Sequence, residues 1–181
     1  TGTWVKGPGI AFFKALTKAL GPLPIIAEDL GVIDDEVREL LAAADLPGMR
    51  VLQFAFGADA GNAYLPHNYS RRTVVYTGTH DNDTTLGWWH VQNEHTRHHV
   101  RTYLGVDGHD IAWDLIRAAL ASTANFAIVP MQDLLSQPGW ARMNTPAVAD
   151  GNWRYRVAPN DLRGDVAERL RELITLYGRL G

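Results

Sequence analysis

"TVVYTGTHDNDTTLGWW", residues 73–89, sets an apolar, β-branched run against a knot of polar residues and then a helix-like stretch. Thr73 to Thr79 reads as a buried strand, with His80, Asp81, Asn82 and Asp83 crowded at its carboxyl end. Apolar strands separated by helices imply a parallel sheet covered on both faces. In such sheets ligands bind at the carboxyl edge, where loops and helix N-termini converge. Asn82, Asp83 and Thr84 also carry a plainer reading, as turn formers and a helix cap.

The same pattern extends to either side. Pro8-Gly9 opens a helix whose Phe12, Phe13, Leu16 and Leu20 share a face, and Gly21 closes it. A first strand, Leu23 to Ala27, ends in Glu28 and Asp29. Residues 32–44 predict a helix, with Asp34, Asp35 and Glu36 in its positive first turn and Val37, Leu40, Leu41 and Ala44 at helical spacing. Met49 to Phe56 predicts a second strand, with Phe54 and Phe56 buried, and residues 57–72 a long loop of the kind that binds something or moves. Helices are predicted over 88–104 and 110–122, a fourth strand over 125–133, and a polar loop over 135–161. Val166, Leu170, Leu173, Ile174 and Tyr177 form the face of a last helix. The expectation is one domain, residues 1–181, of four strand-and-helix units. An open doubly wound sheet and part of a (β/α)8 barrel both fit; a complete barrel runs to about 250 residues.

Composition narrows the chemistry. With 17 Lys+Arg against 20 Asp+Glu and no basic block, nucleic acid is not suggested. No cysteine is present, which removes disulfides and sulfur-ligated zinc. Neither a signal-like start nor a membrane-length apolar run occurs, so a soluble cytoplasmic protein with no membrane partner is expected. Trp88, Trp89, Trp140 and Trp153 lie beside Gly, Asn or His. Most aromatics are core residues, but flat apolar faces next to polar groups also suit a sugar.

Three predicted strands end in polar groups: Glu28-Asp29, His80 to Asp83, and Gln132-Asp133. Carboxylates brought to one opening are what glycosidic chemistry needs, one to protonate the leaving oxygen and others to attack or to balance positive charge. Glu28 is the candidate acid and Asp81 the candidate charge stabiliser. His95, His98 and His99 have the spacing of a helical metal pair, but no carboxylate stands between them and they read as an exposed helix face. No phosphate-binding glycine motif and no nucleophile elbow occurs.

The segments "WVKGPG", "LPIIAEDLGVI", "PGMRVLQFAF", "LPHNY", "VVYTGTHDNDTTLGWW", "AIVPMQDLL", "RMNTP" and "GNWRYR" together resemble the C-terminal half of the 4-α-glucanotransferases, glycoside hydrolase family 77. The resemblance runs from Trp4 to the end. It implies strands five to eight, with their helices, of a (β/α)8 TIM barrel. It also implies retaining transfer of α-1,4-glucan segments to acceptor sugars, with no metal and no organic cofactor. Glu28 matches the family's general acid/base, Asp81 its transition-state stabiliser and His80 a sugar-contacting histidine. Asn144 and Trp153 fall in a loop expected near the donor sugar. The family's nucleophile, an aspartate in an "RIDH"-like segment, has no counterpart here. Neither Asp29 nor Asp83 can replace it, because such chemistry depends on placement. The expected partners are therefore a maltooligosaccharide and either the missing N-terminal half or a second copy, since exposed sheet edges invite pairing. The isolated chain is expected to be inactive. A non-catalytic maltooligosaccharide-binding half-barrel is the alternative.

Overall fold

The structure is a computed structural model that describes every residue other than Thr1, Trp4, Val32 and Gly181. The start of the family resemblance, at Trp4, and of the helix expected from residue 32 lie outside the described residues. Helix α1 spans Ile10–Leu20 and α2 Asp35–Ala44. Strand β1, Gly48–Val51, is followed by β2, Thr73–Tyr76. Helices α3, Thr85–Val91, α4, Glu94–Leu104, and α5, Ile111–Ala121, come next. Strand β3, Phe126–Ile128, the short α6, Met131–Leu134, and α7, Gly164–Leu176, complete the order.

Among the described residues the sheet has three parallel strands in the order β1-β2-β3, Met49 level with Val74 and Val75 level with Ala127. Four strands were expected, and the first, residues 23–27, is not among them. Its backbone reaches β1 through one hydrogen bond, from Ala27 N–H to the Pro47 carbonyl at 2.9 Å. Pro22 and Pro24 supply no N–H for a ladder, so this stretch runs beside the sheet without joining it.

Strand β1 is also shorter than expected, because residues 52–57 wind into a 3₁₀ turn. The Asn62 side-chain amide donates to the Phe54 and Ala55 carbonyls, at 3.0 and 2.9 Å, which would otherwise accept N–H groups of a neighbouring strand. Phe56 is buried as expected, whereas Phe54 is turned outward. The loop that follows is tied down rather than loose. Leu65 and Tyr69 are buried, and Asn68 donates to the Ala60 and Asn62 carbonyls.

Strand β2 is central and buried, in agreement with its sequence. Phe56, Leu65, Tyr69, Val75, Trp89, Val100, Ile111 and Leu115 form one core between it and helices α3 to α5. Trp113, Ile116, Leu120 and Leu173 form a second, where α7 packs with its predicted face. Helix α5 is buried on several sides, as its apolar circumference implies. The helix expected over 88–104 is two helices, because the Asn93 side chain accepts the Thr96 N–H at 2.9 Å and starts a new one. Helix α1 buries none of its residues; Phe12 and Leu20 of its apolar face are exposed.

Candidate active site

Segment 23–31 and the end of β2 approach each other across one opening. Glu28, Tyr76, Gly78, His80 and Asp81 line a cavity of about 670 Å³ together with Met49, Ile128 and Pro130. The two carboxylates singled out in the sequence thus open into the same space. Glu28 is exposed, and its Oε1 accepts the Leu30 N–H at 3.0 Å.

Asp29, the other half of the polar pair that ends the first predicted strand, turns the other way. Its Oδ1 accepts the Met49 N–H at 2.5 Å and its Oδ2 a bond from Arg50 at 2.8 Å, burying it against β1. Gly48 makes the approach possible, since a Cβ there would lie 2.6 Å from Asp29 Oδ2. One carboxylate of the pair anchors the segment and the other faces the cavity.

The "HDND" cluster divides in the same manner. Asn82 Oδ1 accepts the Thr79 N–H and hydroxyl, both at 2.8 Å, and Thr84 Oγ1 accepts the Gly87 N–H at 3.0 Å as the cap of α3. Asp83 Oδ1 accepts the Thr84 N–H at 2.7 Å and sits so near Gly87 that a Cβ there would meet it at 2.5 Å. These three residues shape the turn. His80 and Asp81 are half exposed, with His80 Nε2 3.5 Å from Asp81 Oδ1.

The loop after α6 folds back over this pair. Asn144 Nδ2 donates to Asp81 Oδ1 at 2.5 Å, and its N–H to the His80 carbonyl at 3.0 Å. Trp153 packs on the His80 ring, centroids 5.1 Å apart and planes tilted by 38°. Its φ of 61° is in the left-handed region, costly for a bulky residue. The Trp153 N–H, given to the Met143 carbonyl at 2.7 Å, holds it there. His80 and Trp153 also line a smaller adjoining cavity of about 180 Å³ with Asp83, Asp133 and Arg142.

Three residues of this architecture were not singled out in the sequence for what they do. Arg142 donates to the Asp81 carbonyl at 2.7 Å and to the Asn144 carbonyl at 2.8 Å. Gln53 donates to the Asp83 carbonyl at 2.9 Å. Asp133, 1% exposed, accepts from Thr77 Oγ1 at 2.5 Å and from Thr85 N–H and Oγ1 at 2.7 and 2.8 Å, pinning the end of β2 to the start of α3. Burial pushes its carboxyl above the ordinary carboxylate range, against the pull of the Thr77 and Thr85 hydrogen bonds, while the Asp83 charge adds to the rise. A strand-end "QD" marks Asp133 as polar, but nothing in its spacing reveals burial.

Of the other aromatics, Trp89 belongs to the core and Trp88 packs against it, whereas Trp140 is largely exposed beside Tyr155. His95 and His98 are exposed, as expected, and His99 departs from that reading by packing edge-on against Phe56.

Residues 1–161 match the family described as 4-alpha-glucanotransferase, glycoside hydrolase family 77. The chain belongs to this family. Over 183 residues it is 49% identical to the chloroplastic/amyloplastic 4-alpha-glucanotransferase of Arabidopsis thaliana, covering 99% of this chain and 32% of that protein. The 4-alpha-glucanotransferase of a Synechocystis strain is 50% identical over 181 residues, with 98% of this chain and 36% of that protein covered. Among solved structures, an amylomaltase from Streptococcus agalactiae in complex with acarbose superposes with a TM-score of 0.93 at 36% identity, over 98% of this chain and 36% of that one. The α/β fold described above is therefore that of an amylomaltase. The chain spans about a third of the length of these 4-alpha-glucanotransferases. No described helix is long and apolar enough to cross a membrane. The plant relative is named for plastids, so a cytoplasmic location does not hold across the family.

Proposed function

We propose that this chain is the acid/base-bearing part of a retaining 4-α-glucanotransferase, the C-terminal half of its (β/α)8 barrel. The observation that carries the reading is the single cavity into which Glu28, His80 and Asp81 open. In this reading, Ile25 to Ala27, which keep their N–H groups, pair when the rest of the barrel lies beside them, and Pro24 marks the start of that strand.

Glu28 protonates the glycosidic oxygen as the anomeric bond breaks, and an aspartate from outside these residues captures the anomeric carbon. Glu28, now ionised, takes the proton from an acceptor hydroxyl, which displaces that aspartate and forms the new α-1,4 bond. Asp81 balances the positive charge that develops on the sugar ring in both steps. Its Oδ1 is engaged by Asn144, while Oδ2 has no hydrogen-bond partner among the described residues and is free to meet sugar hydroxyls. The His80–Trp153 pair offers a polar edge and an apolar face for a glucose ring. The scheme draws on no metal or cofactor, and a cytoplasmic setting belongs to it.

The test is a chimera in which this chain replaces the matching segment of the Synechocystis enzyme, assayed for glucose release from maltotriose. Glu28→Gln and Asp81→Asn are each expected to lower kcat by about 10²–10⁴-fold. Wild-type turnover in either variant removes that residue from the mechanism. The exposure of Trp153, 54%, favours a second reading, in which the chain only binds maltooligosaccharide. Calorimetric binding to the isolated chain, lost in Trp153→Ala, together with an inactive chimera, selects that alternative.

A further inference from the structure

We infer that Arg142 is a positioning residue for Asp81, acting through the backbone that carries the carboxylate rather than on sugar. This rests on the reading of Asp81 given above. Three hydrogen bonds form a closed figure: Arg142 to the Asp81 carbonyl at 2.7 Å, Arg142 to the Asn144 carbonyl at 2.8 Å, and Asn144 Nδ2 to Asp81 Oδ1 at 2.5 Å. The Asn144 N–H closes a second path, to the His80 carbonyl at 3.0 Å. Asn144 can hold the carboxylate only if its own loop is fixed, and the guanidinium ties that loop to the strand end.

The residue type fits the task. A guanidinium projects several N–H groups in one rigid plane, so it can hold two carbonyls at a set separation; an ammonium on a flexible stem cannot. Neither of these bonds goes to a carboxylate, so the guanidinium grips the backbone alone. Arg142 lines the smaller cavity, against His80 and Trp153, so its removal opens a guanidinium-sized hole reachable from solvent.

Arg142→Ala in the same chimera is expected to lower kcat roughly 30- to 100-fold, with KM changed by less than about threefold, because a misplaced carboxylate costs the transition state more than the ground state. Guanidinium ion added to that variant should restore part of kcat, and Arg142→Lys should stay low. Amide exchange on the isolated chain gives an independent readout. Asn144 and Trp153 should lose protection in Arg142→Ala while Val75, in the central strand, keeps it. Turnover within twofold of wild type overturns the proposal, and so does loss of protection spreading to Val75, which would make the role one of general stability. Should Asp81→Asn remain active, the reading of Asp81 fails instead, and the exchange measurement still decides whether the clamp exists.

Discussion

The two carboxylates that face the cavity are mounted in opposite ways. Asp81 stands at the end of the central strand, with Asp133 locking the strand to α3 below it and Arg142 and Asn144 gripping it from the following loop. Glu28 sits on an irregular segment that touches the sheet through one backbone bond and the Asp29 anchor. A group that stabilises charge needs a fixed position, because preorganisation is the source of its effect. A proton donor that must serve first a leaving oxygen and then an acceptor hydroxyl tolerates a more adjustable mount.

That contrast can be broken at its strongest point first. Removing the lock, Asp133→Ala, leaves the Thr85 N–H without its partner in a buried site and should cost about 1–3 kcal/mol in chemical denaturation. Asp133→Asn should cost far less, since an amide oxygen can accept the Thr85 N–H and the two hydroxyls can turn to accept from the amide nitrogen. The Asn variant also carries a pH signature. Burial raises the folded carboxyl above its ordinary value of 3.8, so unfolding releases a proton between that value and the raised one. The stability owed to this carboxyl is complete below the window and falls as pH rises through it. Melting curves from about pH 4 to about pH 7 should show a downward component in wild type that Asp133→Asn lacks.

At the weaker mount, Asp29→Ala should cost about 1–2 kcal/mol, because its ion-pair partner Arg50 is partly exposed and few buried groups depend on the segment. Its effect on chimera turnover should exceed its effect on stability, as Glu28 loses its anchor. Gly48→Ala should mimic it, since the added methyl occupies the place of the Asp29 carboxylate. Equal losses of turnover and stability would erase the contrast. The smallest effect is expected for Trp153→Gly. Relief of the left-handed backbone should offset lost packing, leaving stability within about 1 kcal/mol while affinity for maltooligosaccharide drops.

How much was legible in the sequence follows from where each signal resides. Helix α2 could be read because Asp34, accepting the Val37 N–H at 2.9 Å, and the acidic first turn are local cues. Strand β2 and helix α5 could be read because their apolar residues are numerous and regularly placed. The 3₁₀ turn after β1 could not, because Asn62, far along a loop, takes the carbonyls that decide it. Nor could the directions of Glu28 and Asp29, since alternation has no fixed sense in a segment outside the ladder. Asp81, His80, Asn144 and Trp153 lie together in the structure, an arrangement that no local pattern in the sequence encodes. Arg142, two residues before Asn144, went unnoticed because a loop arginine shows no periodicity and its partners are backbone carbonyls.

The outer strand β3 bears on how this protein behaves at the bench. Phe126 and Ile128 are 58% and 42% exposed on a strand that, among the described residues, has a neighbour on one side only. Concentrated stocks of the chain should cloud on storage as such borders zip together. Lysine at position 126 is the substitution to try when crystals or NMR samples are wanted, because a charge there deters stacking without entering either core.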